Sequence, residues 1–138
     1  MQFLVVIVAA AVAYGFGAFW YIWMSKPWMA AAGIAVGPDG RPQNARNPMP
    51  YVIGFVAQLL VAGMMRHILA QAHAFDPNFS TLLLGVMGGF GIGAFLITPW
   101  VAMNYAFAGR PFKLTLIDGV NSVVGCTLMG IVLGLFGI

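Results

Sequence analysis

Charged residues are scarce in this chain of 138 residues. Asp, Glu, Lys and Arg together make up 7% of it, against about 25% in soluble globular domains, while hydrophobic residues make up 62%. We therefore do not expect an enzyme that acts on a soluble substrate. Nucleic-acid binding is not expected either, because the net charge is only +3.

Cysteine occurs once, as Cys126, which excludes an internal disulfide and a metal cage built from cysteines. The chain also lacks a nucleotide-binding glycine loop, a hydrolase nucleophile elbow and a zinc motif. His67 could in principle ligate haem or chlorophyll, but the next histidine, His73, falls off the same helix face. We expect no catalytic residue, no metal site and no cofactor.

Four long apolar segments dominate the sequence, at about residues 3–24, 51–70, 81–107 and 114–137. A helix needs about 20 apolar residues to cross the roughly 30 Å hydrocarbon core of a membrane, and each segment reaches that length. No Lys or Arg precedes the first segment, as one would in a cleavable signal peptide, so we expect it to be a true span. The sequence predicts an all-α, integral membrane four-helix bundle in one domain, residues 1–138, whose longest loop is 25–50.

The basic residues predict an orientation. Five of the six lie in the first and third loops, which share one side of the membrane: Lys26, Arg41, Arg46, Arg110 and Lys113. Only Arg66 belongs to the opposite side. Because basic loops stay on the cytoplasmic side, we expect both termini to face the periplasm of a bacterial inner membrane.

Aromatic residues mark the same span ends. Rings with one polar edge prefer the level of the lipid headgroups, so we expect interfacial anchors at Trp20, Tyr21, Trp28 and Trp100.

The first loop allows two local structures. Pro38-Asp39-Gly40 is a turn signal and could close a short hairpin, although Pro42 weakens its second strand. Residues 28–33 could instead form a short helix along the membrane surface. In the second loop, Asn78 or Ser80 can cap the third span.

Small residues recur at four-residue spacing inside the spans. Gly85, Gly89 and Gly93 form one groove on the third span, and such grooves let helix backbones approach closely in lipid. Matching small surfaces are Ala11–Gly15, Ala13–Gly17 and Gly130–Gly134. We expect packing within the bundle, with a homodimer interface as the alternative. Further along the third span, Pro99 should kink the helix.

Asp118 is the candidate functional residue, because ionisable groups inside a membrane are costly. Asn121 and Ser122 follow it on one helix face. We expect Asp118 to be a structural carboxylate paired with Arg110 or Lys113; the alternative is a proton-coupled or ligand-binding carboxylate. At the outer end of the second span, Arg66 and His67 could extend to the headgroups.

Three groups of short motifs carry a resemblance. They are Gly17-Ala18-Phe19-Trp20-Tyr21 with Lys26-Pro27-Trp28-Met29, then Asn104-Tyr105-Ala106-Phe107 with Arg110-Pro111-Phe112-Lys113, and finally Leu116-Ile117-Asp118-Gly119 with Met129-Gly130 and Leu133-Gly134. With these motifs the chain resembles a family of short bacterial four-span membrane proteins of unknown function. The resemblance covers nearly the whole chain; it implies the fold and brings no activity with it.

Two functions are compatible with these observations. The first is a non-catalytic accessory or assembly subunit of a larger membrane complex. Its partners would be the lipid bilayer and other membrane-protein subunits, with a homo-oligomer as a further option. The second is a small proton- or ion-coupled transporter or channel that uses Asp118. Compact four-span multidrug exporters need a carboxylate in their first span, and none is present there.

The predicted orientation can be tested with reporter fusions. A reporter that is active only in the periplasm should be active after Ile138 and silent when inserted at Gly40, because the basic loops hold the first loop in the cytoplasm. The reverse pattern of activity would contradict the orientation.

Overall fold

A computed structural model describes residues 1–138. It contains five helices: α1 (Gln2–Trp23), α2 (Ser25–Ala32), α3 (Met49–Phe75), α4 (Thr81–Phe107) and α5 (Phe112–Phe136). The chain is 79% helical without strands, and α1, α3, α4 and α5 are long and apolar enough to cross a membrane. The predicted all-α fold with four membrane helices is therefore confirmed.

The helix bounds follow the predicted segments closely except in α3. That helix continues to Phe75, beyond the predicted end at residue 70, because Gln71, Ala72 and Ala74 favour helix. It ends before Asp76-Pro77, where proline disfavours helical geometry in the preceding residue. Ser80 then caps α4 by accepting a hydrogen bond from the Leu83 N–H at 3.3 Å.

Both alternatives for the first loop are present, one after the other. The helix α2 ends at Gly33, whose φ of 68° is the left-handed conformation that glycine adopts easily. A minimal hairpin follows, in which Val36 and Pro42 form a single antiparallel bridge. Pro42 has no N–H to extend the ladder, so no strand develops.

Helix α5 is the centre of the bundle. It packs against α1, α3 and α4 and is the most buried of the four long helices. The apolar core lies between α1, α3 and α5 and consists of Ala9, Ala10, Ala13, Ala62, Met65, Leu69, Cys126, Met129 and Leu133. The three alanines of α1 pack against longer side chains of α3 and α5, such as Met65 and Leu133, which allows the helices to pack closely.

A glycine seam joins α4 to α5. Gly85 lies against the backbone of Gly130, and Gly89 lies against the carbonyl of Cys126. A Cβ atom at Gly93 would lie 2.7 Å from the Ser122 carbonyl oxygen, and one at Gly134 would lie 2.5 Å from the Thr81 carbonyl oxygen. The groove on the third span is thus filled by a helix of the same chain.

Helix α1 uses only one of its two small-residue pairs for packing against α5. Ala13 and Gly17 are buried, and a Cβ atom at Gly17 would lie 3.2 Å from Asn121 Oδ1. Ala11 and Gly15 are exposed on the outside of the bundle, so their expected inward packing is wrong. Two residues along a helix correspond to about 200° of rotation, so both pairs cannot face one neighbour.

Helix α4 is irregular in its middle. Residues Ile92–Ile97 form a π-helical segment directly before Pro99. Both the backbone N–H and the hydroxyl of Thr98 donate to the Gly93 carbonyl, the hydroxyl at 2.7 Å. We call this π turn, together with Pro99, the break in α4, because π turns are common sites of helix distortion. The kink expected at Pro99 stays a prediction.

The seam predicts a large difference between two neighbouring glycines. Gly89→Leu should lower the free energy of unfolding by about 1–3 kcal/mol or more, because the added carbons would overlap α5. Gly91→Leu is the matched control, since nothing lies within 4 Å of a Cβ atom there. Thermal unfolding of the purified protein in detergent measures both, and equal melting midpoints would contradict the seam.

Candidate functional site

Two tyrosines hold the only acidic side chain inside the spans. The Tyr21 hydroxyl donates to Asp118 Oδ1 at 2.5 Å, and the Tyr105 hydroxyl donates to Asp118 Oδ2 at 2.5 Å. Oxygen–oxygen separations of about 2.5–2.7 Å are typical of charge-assisted O–H···O⁻ bonds. Each oxygen of the carboxylate therefore has its own donor, and we call these three residues the carboxylate clasp.

The clasp joins three helices at one end of the bundle. Tyr21 lies in the last turn of α1 and Tyr105 in the last turn of α4, while Asp118 lies near the start of α5. Asp118 is six residues after Phe112, which places it about 9 Å along the axis of α5. The alternating direction of the spans brings these three ends together.

Neighbouring aromatic groups reinforce the same junction. Trp20 Nε1 donates to the Ile117 carbonyl at 2.9 Å. Tyr21 also packs edge-on against Trp28 of α2, with ring centroids 5.4 Å apart. The polar atoms of Trp20 and Tyr21, predicted to be interfacial anchors, thus bond to α5. Trp100 is 67% exposed, on the outside of the bundle.

The expected ion pair between Asp118 and a basic residue is wrong. Arg110 Nη1 donates instead to the Ala32 carbonyl at the end of α2, at 3.1 Å. Lys113 is exposed and does not contact Asp118. Asp118 faces α1 and α4, which carry the two tyrosines that bind it. Arg110 follows Gly109, whose φ is 68°, and its side chain lies against the end of α2.

Sequence reasoning overlooked Tyr105 and assigned Tyr21 to the headgroups. A signal was present, since both tyrosines end spans on the side where Asp118 begins the last one. A carboxylate in an apolar setting needs hydrogen-bond donors, and phenols are donors that a membrane tolerates.

The opposite end of the bundle has one polar contact between helices. Arg66 Nε donates to the Gly137 carbonyl at 2.7 Å, where a cation complements the C-terminal end of α5. That Arg66 reaches the headgroups stays a prediction; its guanidinium lies where α5 ends, although α3 continues for nine residues beyond Arg66. His67 is exposed.

On the helix face that Asp118 shares with Asn121 and Ser122, one polar atom has no hydrogen-bond partner. Asn121 Oδ1 is buried at the contact with Gly17 and accepts no hydrogen bond. Ser122 donates to the Asp118 carbonyl at 3.0 Å. No group of three or more His, Cys, Asp or Glu side chains is placed to hold a metal ion.

Comparison with known families gives one match. Residues 4–134 match the model of a family described as "Protein of unknown function (DUF1761)". The chain belongs to this family. No curated protein and no solved structure matches it. The resemblance to a four-span family of unknown function is therefore confirmed, and the family description adds no activity.

In this DUF1761 protein the clasp is suited to holding helices together. Each carboxylate oxygen accepts a hydrogen bond from a different helix of the chain. Hydrogen bonds to a charged group contribute about 1.5–3 kcal/mol each. The arrangement therefore stabilises the meeting point of α1, α4 and α5.

The clasp can be tested by removing one hydroxyl at a time. Tyr21→Phe and Tyr105→Phe should each lower the free energy of unfolding by about 1–3 kcal/mol, because a buried acceptor loses its donor. Tyr14→Phe is the control, since its hydroxyl donates to an uncharged acceptor, the exposed Tyr51 carbonyl. Asp118→Asn should cost less than Asp118→Leu, because Asn keeps one acceptor oxygen. Thermal unfolding in detergent measures all five, and equal midpoints for Tyr21→Phe and Tyr14→Phe would refute the clasp.

Proposed function

We propose that this chain is a non-catalytic accessory or assembly subunit of a larger complex in the bacterial inner membrane, with both termini in the periplasm. The observation that carries the proposal is the carboxylate clasp. The one acidic group within the spans accepts hydrogen bonds from Tyr21 and Tyr105, so it links three helices of the bundle, as a structural carboxylate would.

The outer surface of α1 supports the presence of a partner. Ala11, Gly15 and Ala18 are exposed along one stripe, and nothing lies within 4 Å of a Cβ atom at Gly15. A helix surface that faces lipid does not require small residues, whereas a neighbouring helix can approach closely only where small residues occur. We assign this stripe, Ala11–Gly15–Ala18, to a helix of another subunit; a second copy of this chain is the alternative partner.

The partner surface can be separated from the fold by experiment. Gly15→Leu should leave the melting midpoint of the purified chain unchanged, because the added side chain meets no atom of the bundle. In gently solubilised native membranes, the wild-type chain should migrate with a large assembly and the variant near its own 14.7 kDa. Ala57→Leu, on the exposed face of α3, should keep the large assembly. Migration of the wild-type chain alone would refute the proposal.

A small proton- or ion-coupled transporter is the second candidate. It is favoured by the unpartnered Asn121 Oδ1, which lies three residues beyond Asp118 in the same helix contact. Proton flux into proteoliposomes distinguishes the two functions: the subunit proposal predicts no flux above that of empty vesicles. Flux that disappears in Asp118→Asn would establish the transporter.

A further inference from the structure

An apolar cleft opens between α4 and α5 on the outside of the bundle, away from the clasp. It encloses about 430 Å³, within the roughly 300–1,000 Å³ of ligand clefts. Pro99 and Ala102 line it on α4, and residues from Phe112 to Val124 line it on α5. Its surface is almost wholly apolar.

The cleft follows from the break in α4. The π turn and Pro99 interrupt the helix where Thr98 passes close to Gly119. Thr98 fills the space beside Gly119, while Ala102, one turn further on, has only a methyl group to place beside α5. The gap is therefore built into the backbone and persists without a ligand.

The length of the cleft matches one leaflet of a membrane. Phe112 and Val124 are twelve residues apart, or about 18 Å along α5, and Phe112 begins the helix. Half of a hydrocarbon core of roughly 30 Å is about 15 Å. A packed helix is about 10–12 Å wide and needs a broader face, so a single acyl chain is the better fit.

A positive charge follows directly after Phe112, the first residue of α5 that lines the cleft. Lys113 is exposed and makes no hydrogen bond or ion pair within the chain. It lies seven residues before Val120, which lines the cleft, and so shares its side of α5. No acidic residue occurs in the first turn of α5, so the charge is available to an anion from the headgroup region.

We propose that this cleft binds an acyl chain of an anionic phospholipid whose phosphate pairs with Lys113. The apolar walls hold the chain, and the lysine selects lipids with a net negative headgroup over zwitterionic ones. This site is separate from the proposed partner surface on α1 and does not depend on it.

Native mass spectrometry of the purified full chain tests the headgroup. Phosphatidylglycerol and phosphatidylcholine with identical acyl chains are offered in equal amounts, and phosphatidylglycerol should be retained preferentially. Lys113→Gln should weaken its binding roughly fivefold, the effect of one cation near an anionic surface. Lys26→Gln is the matched control, because Lys26 is exposed at the same end of the bundle but lies on α2. Equal retention of the two lipids, or equal losses in the two variants, would overturn the proposal.

A second pair of variants tests the acyl-chain site. Ala102→Phe fills the cleft and should abolish retention of phosphatidylglycerol, while Ala57→Phe on the exposed face of α3 should keep it. Unchanged binding in Ala102→Phe would place the lipid elsewhere. Displacement of the lipid by inorganic phosphate alone would show a simple anion site and overturn the cleft. If Ala102→Phe does not fold, the lipid competition and the Lys113→Gln variant still decide.

Discussion

Backbone contact between α4 and α5 is the constraint on which the rest of this structure depends. Hydrophobic burial does not drive helices together in lipid, so packing has to come from close van der Waals contact. Gly85, Gly89 and Gly93 bring α4 directly onto the backbone of α5. That contact places α5 in the centre of the bundle, where α1 and α3 complete its burial. A side chain at any of these three glycines would push the helices apart.

The clasp acts at the end of the bundle where the glycine seam no longer reaches. Beyond Gly93 the α4 helix is irregular, with a π turn and Pro99. Asp118 links its last turn to α1 as well as to α5, since Tyr105 from α4 and Tyr21 from α1 bond to the same carboxylate. The seam and the clasp therefore hold α4 to α5 on either side of the break in α4. The break also opens the cleft on the opposite side of α5.

Much of this architecture was predictable from local patterns. The four spans follow from apolar length and the seam from glycines at four-residue spacing, whereas the π turn before Pro99 was not predicted. The ion pair of Asp118 with Arg110 or Lys113 was predicted wrongly, because proximity along the chain was taken for proximity in space. Tyr21 is 97 residues away from Asp118, and no local pattern shows that their helices meet.

By itself, the sequence determined that the chain crosses a membrane four times and which residues are small, polar or charged along each span. Those properties depend on segment length and composition, which are local. The tertiary structure decided which face of each helix meets a neighbour: it buried Ala13 and Gly17 and left Ala11 and Gly15 outside. It also chose phenols over cations as the partners of Asp118. Both choices depend on the relative rotation of helices, which is set by contacts between distant parts of the chain.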